Sequence, residues 1–279
     1  VLDYVDPKLV ADPRERILIY SVAGEGKTRL ATSLTERFGE IIYIAIDEGS
    51  ESLDSVLPKY RSRIHVYRPR WENPLEDAGE IATTNWKAKH PNAKTIIIDT
   101  FTTWTWFVLQ YITNKGMFST KRVKIGEGTK METALPDVGE YGGVHAQIRL
   151  FLSLLFNTQR DMNIIVLCHS DPPEPGRGAG GPSTVGKKMT EWLPARFKTV
   201  IRLDREVTND IVKGTVVQVS KRVARCAPHG EWIARINEAS ETGNPMPAVV
   251  LDVDPRNLWV QYDALKLTKE GTNAAQPVV

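Results

Sequence analysis

Cysteine is scarce in this chain, and long hydrophobic runs are missing. Two of its 279 residues are cysteines, Cys168 and Cys226. That is too few for a disulfide framework or a cysteine-based zinc centre, and reduced thiols in a cytoplasmic protein are the expectation. The longest apolar runs, Ile41–Ile46 and Ile164–Leu167, are strand-sized and far short of the ~20 residues that cross a bilayer. No membrane partner is expected, and no secretory signal pattern stands at the start. Charge of one sign is also scarce: the net charge is +2, which does not by itself mark a nucleic-acid binder. No internal repeat recurs. A composition of 41% hydrophobic and 25% charged residues is that of an ordinary globular chain.

Basic residues are nevertheless clustered. Lys115, Lys121, Arg122, Lys124 and Lys130 fall in one glycine-containing stretch, and Lys213, Lys221, Arg222 and Arg225 form a second set. Local basic segments on a nearly neutral protein suit a partner gripped at a few phosphates.

Four apolar, β-branched runs read as buried parallel strands: Ile17–Tyr20, Ile41–Ile46, Thr95–Ile98 and Asn163–Cys168. Helical spacing follows the first (Lys27–Phe38), precedes the third (Ile81–Lys89) and precedes the fourth (Val144–Phe156). This alternation predicts an α/β fold with a central, mostly parallel sheet flanked by helices. Asp171–Lys188 is too rich in glycine and proline for regular structure. Thr199–Leu203 and Thr215–Ser220 read as further strands. A core over 1–235 and a C-terminal extension over 236–279, ending in a disordered tail, are the expected division.

The stretch SVAGEGKT, residues 21 to 28, nearly matches the phosphate-loop pattern G-x-x-x-x-G-K-[ST], with Ser21 in place of the first glycine. It follows an apolar strand and opens a helix, the context that such a loop requires. Gly24 and Gly26 let backbone N–H groups fold around a phosphate. Lys27 would reach the β- and γ-phosphates, and Thr28 would place its hydroxyl on Mg²⁺. Glu25 and Arg29 complete the candidate nucleotide-binding set. The strand KTIIIDT ends in Asp99, a second candidate for the Mg²⁺ shell.

The Ile41–Ile46 strand also ends in acids. Glu48, with Asp47 as the alternate, is the candidate for orienting the attacking water; a solvated acidic turn is the competing reading. His169 ends the fourth strand, either as a sensor of nucleotide state or as a structural residue. Lys221 and Arg222 end a later strand, where they read either as cationic fingers for a neighbouring subunit's phosphates or as a solvated basic turn. Trp259 and Tyr262 have two readings, stacking on a base or adenine and packing.

These segments, with EYGGVHAQIRLFLSLL, IIVLCHSD and GPSTVGKKMTEWLPARFKTVIRL, together resemble the RecA-like P-loop ATPases encoded by bacteriophages. One branch of these acts as single-strand annealing recombinases. The resemblance covers roughly Ile17 to Arg225 and departs from the pattern at Ser21. It implies a RecA-like core that binds ATP and Mg²⁺, associates head to tail as a ring or filament, and holds ATP between subunits. It further implies Glu48 as the catalytic glutamate and Lys221 and Arg222 as fingers acting in trans. Single-stranded DNA would lie on the glycine-rich loop 171–188 through Arg177, Lys187 and Lys188. The segment from Asn237 onward has three candidate contacts: DNA, a single-strand-binding protein or the core itself. A helicase or packaging motor and a nucleotide-responsive scaffold are the alternative functions.

Overall fold

The computed structural model describes residues 14–47, 51–54, 56–70, 72–116, 121–124, 132–136, 138–173, 180–212, 215–227, 232–236, 248–251, 256 and 258–261. Its strands are β1 (Arg16–Ser21), β2 (Glu40–Ala45), β3 (Ile64–Tyr67), β4 (Ala93–Asp99), β5 (Lys121–Lys124), β6 (Glu132–Leu135) and β7 (Asn163–Asp171). They continue with β8 (Gly181–Pro182), β9 (Thr199–Val212), β10 (Thr215–Arg225), β11 (Arg235–Ile236) and β12 (Val249–Val250). The main sheet runs β12-β10-β9-β1-β7-β4-β2-β3, with β8 and β11 attached to β7 and β9. From β9 to β3 the neighbours are parallel, whereas β9 and β10 form a long antiparallel ribbon. The expected architecture is therefore the one observed.

Strand periodicity sorts the core into two layers. Leu18, Ile42, Ile96, Ile98, Ile164 and Val166 face one side of the sheet and pack with the helices Pro74–Thr83, Phe101–Lys115 and Val138–Thr158. Ile17, Ile19, Ile41, Tyr43, Ile97, Ile165 and Leu167 face the other, against Leu30, Ala31 and Leu34 of the segment after the first strand. Each buried aliphatic side chain contributes about 1.5–3 kcal/mol of transfer free energy.

The local departures have identifiable causes. The expected Lys27–Phe38 helix is two short ones, Lys27–Thr32 and Thr35–Phe38. Between them the Ser33 hydroxyl donates to the Leu30 carbonyl at 2.6 Å, a local bond that competes with the helical ladder. The helix expected over Ile81–Lys89 is likewise divided, because Asn85 caps a new turn by accepting from the Ala88 N–H.

The described parts of the segment 171–188, residues 171–173 and 180–188, include regular structure that its composition did not suggest. β7 runs on to Asp171, β8 pairs with its end, and Lys187 and Lys188 open the helix Lys187–Trp192 instead of lying in a loop. The basic stretch after Lys115 contributes β5, which pairs with β6 in a separate two-stranded sheet. Described residues of the C-terminal extension meet the core: β12 pairs with β10, and Leu258 and Trp259 are buried with Leu30 and Leu34. Trp259 donates its indole N–H to the Ser33 hydroxyl at 2.9 Å, so packing is its use. Among the described residues no helix is long and apolar enough to cross a membrane. Both cysteines are buried.

Candidate functional site

The parallel strands β1, β7, β4 and β2 end on one edge of the sheet, and the candidate residues collect there. Between β1 and the Lys27–Thr32 helix, the chain turns through Gly24 (φ 81°) and Gly26 (φ 88°). Both lie in the left-handed region, which costs an L-residue about 1–2 kcal/mol, so glycine is favoured at each. Lys27 is buried beneath the loop. Its ammonium donates to the Ser21 and Val22 carbonyls at 3.2 and 3.1 Å and to the Ser21 hydroxyl at 3.2 Å. Ser21, the departure from the loop pattern, thus supplies an additional acceptor for the lysine. Burial pushes Lys27 below its ordinary pKa, opposed chiefly by Asp99.

Thr28 and Asp99 meet as expected. The Thr28 hydroxyl donates to the Asp99 carboxylate at 2.6 Å, and the Tyr43 hydroxyl donates to the same oxygen. Asp99 is almost wholly buried, which raises its pKa, while the bonds from Thr28 and Tyr43 pull it down. A hydroxyl and a carboxylate converging beneath a phosphate loop are the oxygen donors that Mg²⁺ takes alongside nucleotide phosphates, so these residues fit the ion. Asp47 accepts from the Thr100 hydroxyl at 3.2 Å. Glu48 lies outside the described residues, as do Arg177, Lys130, Lys213 and Tyr262.

His169 is in register with Ser21 across the β1–β7 pair. Burial, then the Lys27 charge, holds its imidazole below the usual value. Its backbone N–H donates to the Thr102 hydroxyl at 2.9 Å, and Thr102 donates to the Ser183 carbonyl at 2.7 Å. Ser183 N–H in turn donates to the His169 carbonyl at 2.7 Å. Thr102 therefore joins the helix after β4, the end of β7 and the segment just after β8. Nothing in the sequence singles out this threonine, since its role depends on three distant segments meeting.

Lys221 and Arg222 are not at a strand end: β10 continues to Arg225. Adjacent strand residues point to opposite faces. Arg222 is in register with Arg205 and Lys221 with Glu206, so the two cations stand on opposite faces of the ribbon. Glu25, expected in the nucleotide-binding set, pairs its side chain with Arg205, with Nε to Oε1 at 2.7 Å. Arg29 is half-buried, with its Nε unsatisfied among the described residues.

Lys187 and Lys188 share their short helix with Trp192. The guanidinium of Arg149 lies 5.3 Å from the Trp192 ring centroid and that of Arg196 4.7 Å, distances at which cations interact with an aromatic face. The result is a basic, aromatic strip reached from the end of β7.

A parallel sheet carrying a glycine-turned loop, a buried lysine and a Thr–Asp pair defines a P-loop ATPase. Residues 14–236 match the AAA domain family, and the chain belongs to it. No curated protein matches. Three solved structures are similar over part of their length. An ATPase from the type III secretion system of pathogenic bacteria is 15% identical, over 68% of this chain and 52% of that one, with a TM-score of 0.41. The ATP synthase subunit NeqB from Nanoarcheaum equitans is 13% identical over 68% and 45%, with a TM-score of 0.43. A DnaB-like replicative helicase is 12% identical over 75% and 55%, with a TM-score of 0.36. The chain spans about half the length of each.

Proposed function

We propose that this ATPase is an ATP-dependent single-stranded-DNA-binding and annealing protein of phage recombination, with ATP held where subunits meet head to tail. The supporting observation is the path from nucleotide to basic strip. The Thr28–Asp99 pair and His169 stand at one edge, and Thr102 and Ser183 link that edge to the segment leading into Lys187, Lys188 and Trp192. Lys27 would hold the β- and γ-phosphates. Thr28 and Asp99 would hold Mg²⁺, which neutralises charge on the phosphates when bound. Glu48 is the carboxylate that orients water, with Asp47 the alternate, and His169 reports the state of the site to β7 and the chain beyond it. Arg177, Lys187 and Lys188 contact the DNA backbone. Lys221, on the ribbon face away from Arg222, is the cation offered to a neighbouring subunit.

The test is retention of a labelled oligonucleotide with and without ATP and Mg²⁺ across a salt series. ATP-stimulated retention that falls steeply with salt is expected, with loss on Lys187→Gln/Lys188→Gln substitution. Retention indifferent to ATP sinks the reading. Unwinding or translocation with fast DNA-stimulated turnover replaces it with a motor.

A further inference from the structure

The β9–β10 ribbon passes the phosphate loop of its own chain and carries two arginines on the face turned toward it. Leu203 and Ala224, in register with each other, are buried in the same layer as Leu30 and Ala31. Two residues further along each strand, on the same face, stand Arg205 and Arg222, again in register. Arg205 bonds Glu25 within the loop at 2.7 Å, and the Glu25 side chain is only 8% exposed. A β-carbon at Gly26 would stand 3.4 Å from Arg222 Nη1, which puts the guanidinium against the residue just before Lys27.

We propose that Arg222 is a phosphate-binding residue acting in cis, on nucleotide bound to its own loop, with the Arg205–Glu25 pair tethering the ribbon in position. This rests on the reading that the loop binds nucleotide.

Charge explains both halves. A carboxylate buried in an anion-binding loop opposes phosphate unless it is neutralised. Glu25 is such a carboxylate, and its Oε2 is buried without a hydrogen-bond partner among the described residues. Arg205 cancels its charge and, in doing so, fixes the ribbon over the loop. Arg222 then stands beside Gly26 with a planar fork suited to bidentate contact with phosphate oxygens. A cation preorganised there stabilises the charge that builds on the transferred phosphoryl group. A finger in trans must reach away from its own loop; of the neighbouring pair, only Lys221 is on the face that allows this.

Two measurements on the full chain decide the matter. The first is affinity for a fluorescent ATP analogue with Mg²⁺, at dilutions where sedimentation shows a monomer. Arg222→Gln should weaken it roughly tenfold to hundredfold, the range of a hydrogen-bonded charge pair. Wild-type affinity in Arg222→Gln overturns the proposal. Should that variant fail to fold, Arg222→Lys replaces it, with a smaller loss of affinity expected and wild-type affinity again fatal.

The second is ATP hydrolysis by mixtures of Arg222→Gln with Lys27→Ala chains. In cis each chain lacks one half of its own site, so mixtures stay inactive. In trans a Lys27→Ala chain lends its Arg222 to an intact loop, and recovered hydrolysis refutes the cis assignment. For the tether, Glu25→Gln and Arg205→Gln should each lower affinity, and the double variant should be no worse than Arg205→Gln alone. Fully additive losses show that they do not act as a pair. If the wild-type chain binds no nucleotide, the loop reading itself has failed, which is a separate outcome.

Discussion

The two halves of the sheet place function in opposite ways. In the parallel half, strands stop where the site begins, and Asp99 and His169 lie at or near the ends of apolar runs. In the antiparallel half, β9 and β10 run past the site, and Arg205 and Arg222 lie in mid-strand. Position along the chain selects the residue in the first half, because all parallel strands end on one edge. Side-chain alternation selects it in the second, because shifting by one residue exchanges the face. Strand ends can be read from a sequence, whereas a face needs the register.

The sharpest way to test this contrast is at the strand-end site. Lys27→Ala should lower hydrolysis about a thousandfold, in line with removal of a preorganised electrostatic group, measured by phosphate release. Next, the halves should differ in stability. Ile165→Ala, fully buried in the central strand β7, should cost about 2–5 kcal/mol in chemical denaturation.

The phosphate loop, which the ribbon meets through Arg205 and Arg222, should respond at an intermediate level. Gly26→Ala should cost about 1–2 kcal/mol from its φ of 88°, and the strained loop should bind nucleotide more weakly, so affinity falls with stability. A smaller effect should come from His169, whose folded pKa lies below its ordinary 6.5. The unfolded chain then takes the proton first, so stability contributed above about pH 6.5 is lost as pH falls through the folded value. His169→Gln should flatten that acid slope in thermal melts. Smallest of all, Val216→Thr on the ribbon, 66% exposed, should stay within about 0.5 kcal/mol of the parent.

The same contrast explains what the sequence revealed. The strands β1, β2, β4 and β7, the loop, and the meeting of Thr28 with Asp99 were legible, because each is a local pattern next to an apolar run. β3 was not: at the sheet edge three of its four residues are partly buried and Val66 is exposed, so it has no apolar run to announce it. The Phe101–Lys115 helix hid behind a composition of aromatic and β-branched residues that suits strands better than helices. Its termini were nonetheless marked, with Thr100 accepting from the Thr103 N–H and Gly116 at φ 61° closing the end. Tyr43, Thr102 and the Arg205–Glu25 pair belong to contacts between segments 56, 67, 81 and 180 residues apart. No local pattern carries such contacts. Lys221 and Arg222 were expected at a strand end, but β10 runs on to Arg225, and adjacent positions in a strand face opposite ways.

The scarcity of thiols has a practical side. Cys168 and Cys226 are buried, and burial raises both thiols to about 12, so neither offers a thiolate to maleimide at neutral pH. One cysteine introduced at Val216 on the ribbon would therefore take a fluorophore selectively, with the native pair left in place. The wild-type sequence already provides the silent background that single-molecule labelling normally has to engineer.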